Sequence, residues 1–237
     1  MSTITELKQA LRRLSAAELE GIARWLEALV EESRHRARHI REARPEYASA
    51  EPLLMTWEEY LAFEEQSPYR HEYVNGAVYA MSGASLAHNR IAQKLVVALG
   101  AHLQGGPCEP FFLEARLEIV SGTEQIVYYP DVMVSCRPED RTDQAIRNPT
   151  LVVEILSEST QHVDRREKAL TYQRVAAIEE YVLIAQDRPQ LIFHRRADAW
   201  QPLLCSGMDA LAEFRSIGLR IPLPRIYEGT LPAPGSA

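Results

Sequence analysis

Long apolar stretches are absent from this chain of 237 residues. No run of 18 consecutive apolar residues occurs, and the opening segment MSTITELKQA does not place a basic stretch before an apolar one as a signal peptide does. We therefore expect neither a membrane-spanning helix nor export, and predict a cytoplasmic protein. Because 46% of the residues are hydrophobic, the chain can bury the core of one domain of roughly 150 to 200 residues with an appendage beside it.

Cysteine is scarce. The three cysteines, Cys108, Cys136 and Cys205, are widely spaced and form no C-x-x-C pair. This spacing argues against a disulfide framework and against a zinc site. We therefore predict three chemically inert thiols in the core.

Lysine is scarce as well, and positive charge is unevenly distributed. Only three of the 26 basic residues are lysines, and one of them is Lys168. Residues 1–44 carry nine basic against seven acidic residues, which leaves 17 against 26 in the rest of a chain whose net charge is −7. An acidic main domain argues against strong non-specific binding of nucleic acid, which depends on basic side chains that neutralise phosphates. Lys168 also stands out chemically, because an ammonium is a compact charge whose pKa is adjustable.

Two capping-box patterns near the start of the chain predict two helices. Thr3-x-x-Glu6 and Ser15-x-x-Glu18 each precede aliphatic residues at helical spacing, so residues 3–44 are predicted to form a helical hairpin. Its arginine-rich end is typical of a solvated helix terminus whose cations interact favourably with the helix dipole, and a contact with nucleic acid is the alternative. The apolar stripe of the hairpin needs a partner surface, and we predict a homodimer.

Changes in composition predict the domain boundaries. Residues 1–45 form the helical appendage, residues 46–52 a linker rich in small residues and proline, and residues 53–229 the main domain. Residues 230–237 are rich in proline, glycine and serine, and we expect a disordered tail there.

The main domain is predicted to combine strands with two helices. Thr56-x-x-Glu59 begins a short helix, and residues 85–104 form an amphipathic helix. Asn75-Gly76 joins two strands as a hairpin. Further strands are predicted at residues 109–120, 126–136, 151–156, 180–186, 191–196 and 200–205, of which the last three form a meander.

Two carboxylates fall inside predicted sheet regions. Glu154 interrupts the aliphatic run LVVEIL, which is typical of a strand buried on both faces, and an ionised carboxylate there is costly unless it is paired or binds a metal. Asp131 follows Pro130, which cannot donate to a sheet ladder and therefore marks a bulge or a strand edge. Two carboxylates on neighbouring strands supply the hard oxygen ligands that Mg²⁺ and Mn²⁺ prefer.

Three further side chains are candidates, each with an ordinary alternative. Glu72 lies in the first strand of the hairpin, where a glutamate is often merely solvated. His88 lies in the first turn of the amphipathic helix, where a histidine is more often structural than catalytic. Asp164, Lys168 and Tyr172, at spacing i, i+4 and i+8, share one face of a predicted helix. Lys168 can then point toward the sheet or form an exposed pair with Asp164.

In type and order, these residues resemble the motifs of the Uma-type restriction endonuclease family, a branch of the PD-(D/E)XK phosphodiesterase superfamily. The resemblance covers roughly residues 53–227. It is carried by EYVNG at residues 72–76, His88, PDV at residues 130–132, VEILS at residues 153–157, Asp164, Lys168 and Tyr172.

The resemblance implies a fold, an activity and a set of site residues. The fold is an α/β core of the α+β kind, with a restriction-endonuclease-like mixed β-sheet flanked by helices. The activity is Mg²⁺- or Mn²⁺-dependent endonucleolytic cleavage of nucleic acid, with DNA as the expected substrate. Asp131 and Glu154 are the implied metal ligands, and Glu72 is an additional acidic member. Leu156 stands where the superfamily places its lysine, so Lys168 would have to assist the attacking water from the adjacent helix.

Two other functions stay open on the sequence. One is a catalytically idle fold that binds nucleic acid or a protein partner, which the acidic main domain favours. The other is metal-assisted hydrolysis of a small phosphodiester, which needs a closed pocket. The carboxylate inside LVVEIL argues against the idle fold, because a cation or a proton is needed to account for it.

Overall fold

The computed structural model describes Ser15 and residues 53–81, 84–156 and 167–230. The predicted helical hairpin, the linker, Asp164 and the tail beyond residue 230 therefore lie outside the described residues, apart from Ser15. Within the described ranges, no helix is long and apolar enough to cross a membrane.

The part of the chain described from residue 53 onward is built from short strands and a few helices. In chain order the elements are β1 (Leu53–Leu54), α1 (Trp57–Gln66), β2 (His71–Val74), β3 (Ala77–Ala80), α2 (Leu86–Leu103), β4 (Glu109–Phe112), β5 (Arg116–Ser121), β6 (Glu124–Tyr128), β7 (Val132–Ser135), β8 (Ala145–Ile146), β9 (Leu151–Leu156), α3 (Ala169–Arg174), β10 (Glu180–Ala185), β11 (Gln190–Arg195), β12 (Pro202–Ser206), β13 (Leu211–Phe214), β14 (Leu219–Pro222) and α4 (Leu223–Tyr227).

The strands form two six-stranded mixed sheets and one small ribbon. Sheet A has the order β1-β3-β2-β6-β5-β8, sheet B has the order β12-β11-β10-β9-β7-β4, and β13 pairs with β14. Each large sheet contains one parallel pair, β5 with β8 in sheet A and β9 with β10 in sheet B. The predicted α+β fold with mixed sheet and flanking helices is thus confirmed, with the strands divided between two sheets.

Local signals account for the start of this domain. Thr56 and Glu59 form the predicted capping box at the beginning of α1. Asn75 and Gly76 join β2 to β3 with φ values of 48° and 100°, which is the left-handed backbone that a tight hairpin of this kind requires. The helix predicted at residues 85–104 is α2, and Ser85 accepts a hydrogen bond from the backbone N–H of His88 at its first turn.

Two predicted strands are each divided between the sheets, which corrects the sequence interpretation. Residues 109–120 form β4 in sheet B and β5 in sheet A, separated at Leu113, whose φ is 61°. Residues 126–136 contribute to β6 in sheet A and to β7 in sheet B, separated by Tyr129, Pro130 and Asp131. Pro130 has no N–H to give to a ladder, so the chain leaves one sheet there and enters the other.

Strand β9 is buried on both faces, as predicted. All six of its residues are buried. The odd-numbered residues Leu151, Val153 and Ile155 belong to the core that also contains Ile91 and Leu95 of α2. Side chains alternate along a strand, so Glu154 points away from this core.

Two of the cysteines are joined, so the prediction of three inert thiols is wrong for this pair. Cys108 and Cys136 form a disulfide. β4 and β7 are antiparallel with Glu109 opposite Ser135, which places the residue before Glu109 level with the residue after Ser135. Cys205 is a free, half-buried thiol whose pKa is raised by burial.

Candidate active site

Asp131 lies at the crossing between the two sheets, beside Glu154. β7 pairs with β9 so that Val132 is opposite Val153, and one further step along both strands brings Asp131 level with Glu154. The Oδ2 atom of Asp131 accepts a hydrogen bond of 2.6 Å from the backbone N–H of Ile155, the residue after Glu154. The two carboxylates that the sequence singled out are therefore neighbours.

Glu154 is buried and accepts two side-chain hydrogen bonds from α3 and the residue before it. Its Oε1 atom lies 3.1 Å from Nζ of Lys168 and 2.8 Å from the hydroxyl of Tyr172. Because Lys168 and Tyr172 are one helical turn apart, the same face of this segment supplies both donors. The shared face was predicted from the sequence, and the structure brings both side chains to the strand carboxylate.

Lys168 joins the two sheets. Its Nζ atom lies 2.9 Å from Oε1 of Glu72 in sheet A and 3.1 Å from Oε1 of Glu154 in sheet B. Lys168 is only 6% exposed, Glu72 4% and Glu154 3%. Both ordinary alternatives are therefore wrong, because Glu72 is not solvated and Lys168 is not an exposed residue.

Two tyrosines enclose this charged cluster. Nζ of Lys168 lies 5.3 Å from the ring centroid of Tyr128, whose ring in turn meets that of Tyr172 edge-on. Burial, and then the negative charge of Glu154, raise the pKa of Tyr172 well above that of an exposed tyrosine. The Tyr172 hydroxyl therefore stays protonated and donates to Glu154. The enclosing rings also lower the local dielectric, which strengthens charge–charge interactions inside the cluster.

His88 contacts the oxygen of the Asp131 carboxylate that is not bonded to Ile155. Its Nε2 atom lies 2.8 Å from Oδ1 of Asp131, so Asp131 is contacted by His88 through one oxygen and by Ile155 through the other. The first turn of α2 thus points at the end of β7. This contact orients the Asp131 carboxylate, and it is the specific partner that the sequence alone did not identify for His88.

The oxygen donors of this site fit a divalent ion in chemical type. No group of three His, Cys, Asp or Glu side chains within residues 53–81, 84–156 and 167–230 is arranged to hold a metal. Mg²⁺ is nevertheless commonly held by one or two carboxylates, with water and substrate phosphate as its other ligands. Asp131 and Glu154 match that donor set.

From the sequence, Tyr172 is part of a motif but has no assigned role. Tyr128 and Glu64 were not identified as site residues. The spacing of four between Lys168 and Tyr172 was a usable signal for Tyr172. Tyr128 follows from strand register, because β2 and β6 pair with Tyr73 opposite Val127, which sets Tyr128 level with Glu72. Glu64, which is 1% exposed, faces a different cavity and had no signal beyond its helix.

Known proteins match the same part of the chain. Residues 57–223 match the Uma2 family, described as "Putative restriction endonuclease". The uncharacterized Synechocystis protein slr1290 is 38% identical over 175 residues, which is 73% of this chain and 90% of that protein. A second Synechocystis protein, sll1609, is 31% identical over 171 residues, covering 71% of this chain and 96% of its own length.

A solved structure shares the fold. It is the crystal structure of a protein from Anabaena variabilis described as a putative nuclease, with a TM-score of 0.61 and 18% sequence identity. The match covers 73% of this chain and 98% of the Anabaena protein.

Proposed function

The chain belongs to the Uma2 family, whose description is "Putative restriction endonuclease", and on that premise we propose that it is a metal-dependent endonuclease that hydrolyses phosphodiester bonds of nucleic acid, with DNA as the expected substrate. One observation carries the proposal. A buried lysine is held between Glu72 of sheet A and Glu154 of sheet B, and Asp131 lies level with Glu154 on the neighbouring strand. The fixed ammonium suits the stabilisation of negative charge on a phosphate that is being attacked, and the acidic oxygens suit the binding of a divalent cation.

Asp131 and Glu154 are the proposed ligands of Mg²⁺ or Mn²⁺, with Glu72 as an additional acidic member. When bound, the ion supplies a positive charge that polarises the phosphate and activates water. His88 and the backbone N–H of Ile155 hold Asp131 in place for that role. Tyr172 and Lys168 likewise hold Glu154.

Lys168 is the proposed assistant of the attacking water. Glu72 and Glu154 fix its ammonium from two sides, so little reorganisation is needed when negative charge develops nearby. A compact ammonium suits this position better than a planar guanidinium. If Lys168 proves dispensable, His88 is the next candidate for proton transfer, because it contacts Asp131 directly.

A catalytically idle module is the second candidate, and one observation favours it. Within the described ranges, no three potential ligands are gathered for a metal. The idle module and the enzyme make opposite predictions about cleavage.

The test is cleavage by the full-length protein of supercoiled plasmid, single-stranded DNA and RNA, with Mg²⁺, with Mn²⁺ and with EDTA. We expect cleavage with a metal and none with EDTA. Calorimetry with Mn²⁺ is run in parallel on the wild type and on Asp131→Ala, and we expect metal binding to disappear in the variant. Equal Mn²⁺ binding by both proteins would contradict the ligand assignment, and a wild type that cuts none of the substrates would favour the idle module.

Dimerisation through residues 3–44 stays a prediction, since those residues lie outside the described ones. Light scattering on the full-length protein should give the mass of a dimer. A monomeric mass would contradict it.

A further inference from the structure

A cavity lies on the face of sheet A opposite to the face that contacts Lys168. Tyr73, Val127 and Tyr129 pack against α1 on this face, whereas Glu72 and Tyr128, which alternate with them, face the charged cluster. The cavity has a volume of about 640 Å³, which is within the usual range for small-molecule sites. It shares no lining residue with the candidate active site.

The floor of this cavity contains a rigid, hydrogen-bonded carboxylate. Glu64 accepts hydrogen bonds from the hydroxyl of Tyr129 at 2.7 Å and from the backbone N–H of His71 at 3.1 Å. Its other oxygen lies 2.9 Å from Nδ1 of His71. Burial, and then Glu64, raise the pKa of Tyr129 far above the ordinary value, so Tyr129 remains a donor to Glu64. The floor is therefore fixed before any ligand enters.

Arg116 borders the same floor and has a donor to spare. It is 8% exposed, and its Nη2 atom lies 2.8 Å from Oε1 of Glu118. Its Nε atom is buried and has no hydrogen-bond acceptor among the described residues. That atom is enclosed by protein, so a ligand in the cavity would meet Arg116 through its remaining nitrogen, Nη1.

The charge of the lining decides the class of ligand. Two arginines, Arg70 and Arg116, stand against four acids, Glu64, Glu65, Glu114 and Asp143, so the formal charge of these six residues is −2. A polyanionic strand or a free phosphate is therefore disfavoured in the cavity. An uncharged molecule that offers acceptors to Arg116 and donors to the acids at the rim is complementary to it.

An aromatic side chain completes the cavity. Phe111 lines it, and the guanidinium of Arg141 lies 5.4 Å from the Phe111 ring centroid. Aromatic side chains bind flat heteroaromatic rings by stacking. A planar ligand with hydrogen-bond donors and acceptors at its edges can contact the arginines, the acids and the aromatic ring of this lining.

We propose that this cavity binds a nucleobase, with guanine as the best match. Guanine presents two acceptors, O6 and N7, to an arginine, and carries amino hydrogens that a carboxylate accepts. Arg116 would contact the acceptor edge, Asp143 and Glu65 the donor edge, and Phe111 the ring. The base comes either from a free nucleoside or from an unpaired nucleotide of a strand whose phosphates stay outside. This inference goes beyond the proposed nuclease activity and does not depend on it.

The test is binding of guanosine, adenosine, cytidine, uridine and guanosine monophosphate to the full-length protein, by calorimetry and ligand-observed NMR. We expect guanosine to bind more tightly than the other nucleosides and no less tightly than its monophosphate. Arg116→Met should weaken guanosine binding about 10- to 150-fold, which corresponds to about 1.5 to 3 kcal/mol for one hydrogen bond to a charged group. Asp143→Asn, which changes a side chain at the rim, should weaken it as well.

Arg147→Met is the matched control. Arg147 pairs with the same carboxylate, Glu118, at 3.4 Å but does not line the cavity, so guanosine binding should be unchanged. Thermal unfolding of all variants separates lost binding from lost folding, and Asp143→Asn carries the test if Arg116→Met does not fold.

Three outcomes would overturn the proposal. If no nucleoside binds at millimolar concentration, the cavity holds water only. If the monophosphate binds more tightly than guanosine, the site recognises an anion, and if another nucleoside binds more tightly, guanine is the wrong base. Displacement of guanosine by a guanine-containing single strand identifies the strand as the source of the base, and failure of displacement identifies the free nucleoside.

Discussion

Among the buried ion pairs of the described residues, those of Arg195 and Lys168 are built in different ways. Arg195 and Glu180 are 3% and 1% exposed and lie directly opposite each other on the antiparallel strands β11 and β10. Nε of Arg195 donates to Oε1 of Glu180 at 2.6 Å, and Ser216 donates to the other oxygen through both its backbone N–H and its hydroxyl. The Lys168 cluster instead joins a lysine to carboxylates from two sheets.

The difference separates a pair that supports the fold from a cluster that is suited to chemistry. The Arg195 pair is local, since Glu180 lies opposite on the next strand and a second acid, Asp198, lies three residues further along the chain at 3.7 Å. It uses a planar guanidinium in a fixed hydrogen-bonded arrangement. The Lys168 cluster gathers two carboxylates around one compact ammonium. We therefore expect substitutions at the first site to change stability alone and substitutions at the second to change activity as well as stability.

The largest expected effect is on stability, at the Arg195 pair. Arg195→Met leaves Glu180 buried without its cation, which should lower the free energy of unfolding by about 3 to 5 kcal/mol in urea denaturation. Cleavage per folded molecule should not change. Arg215→Met is the control, because Arg215 pairs with Glu213 on the surface and should cost less than about 1 kcal/mol. If both variants lowered the free energy of unfolding equally, burial of the ion pair would not account for its contribution to stability.

The next effect is on activity, at Lys168. Lys168→Ala leaves Glu72 and Glu154 buried without their cation, so it should lower the free energy of unfolding by about 3 to 5 kcal/mol, as Arg195→Met does. Per folded molecule, Lys168→Ala and Lys168→Arg should bind Mn²⁺ yet cleave about 10² to 10³ times more slowly, which corresponds to roughly 3 to 4 kcal/mol. The arginine variant keeps the charge but not the shape of the ammonium, so it distinguishes a positioned donor from a simple counter-ion. Cleavage at the wild-type rate by Lys168→Ala would end the lysine mechanism and turn attention to His88.

A smaller effect is expected at Tyr172, which contacts Glu154 without belonging to the charged set. Tyr172→Phe removes one hydrogen bond to a buried carboxylate, typically about 1.5 to 3 kcal/mol, while the ring still packs against Tyr128. We expect cleavage to fall by roughly 10- to 100-fold, with less loss of stability than in Arg195→Met. Activity equal to the wild type would show that Lys168 alone is sufficient to hold Glu154.

The smallest effect is expected at the far end of α3. Arg174 is paired with Glu124 at 2.9 Å, with its side chain 59% exposed. Arg174→Met should change the free energy of unfolding by less than about 1 kcal/mol and leave cleavage unchanged, because exposed pairs are weak. A large loss of cleavage in this variant would extend the functional surface along α3 beyond Tyr172.

Sequence reasoning was effective wherever the cause was local. The capping box at Thr56, the Asn75-Gly76 hairpin and the burial of β9 follow from neighbouring residues, and the structure confirms them. The Glu180–Arg195 pair was within reach too, since the predicted meander with its short turn sets these two residues opposite each other.

What the sequence could not supply is the arrangement of segments that are distant in the chain. Lys168 contacts Glu72 of sheet A as well as Glu154 of sheet B, and no local pattern encodes the contact with Glu72. The Cys108–Cys136 disulfide depends on a pairing of β4 with β7 that was hidden while residues 109–120 were interpreted as one strand. The roles of Asp131, Glu154, Glu72, His88 and Lys168 remain proposals that the experiments above decide.

The bridge that Lys168 makes between the sheets has a consequence for how the protein is made. Contacts between distant segments form late in folding, because the intervening chain must first be closed into a loop. A nascent chain that has emerged only as far as β9 carries Glu72, Asp131 and Glu154 but still lacks the ammonium. The proposed activity therefore requires both sheets and α3, and a partly synthesised chain that ends at β9 lacks one of its proposed residues.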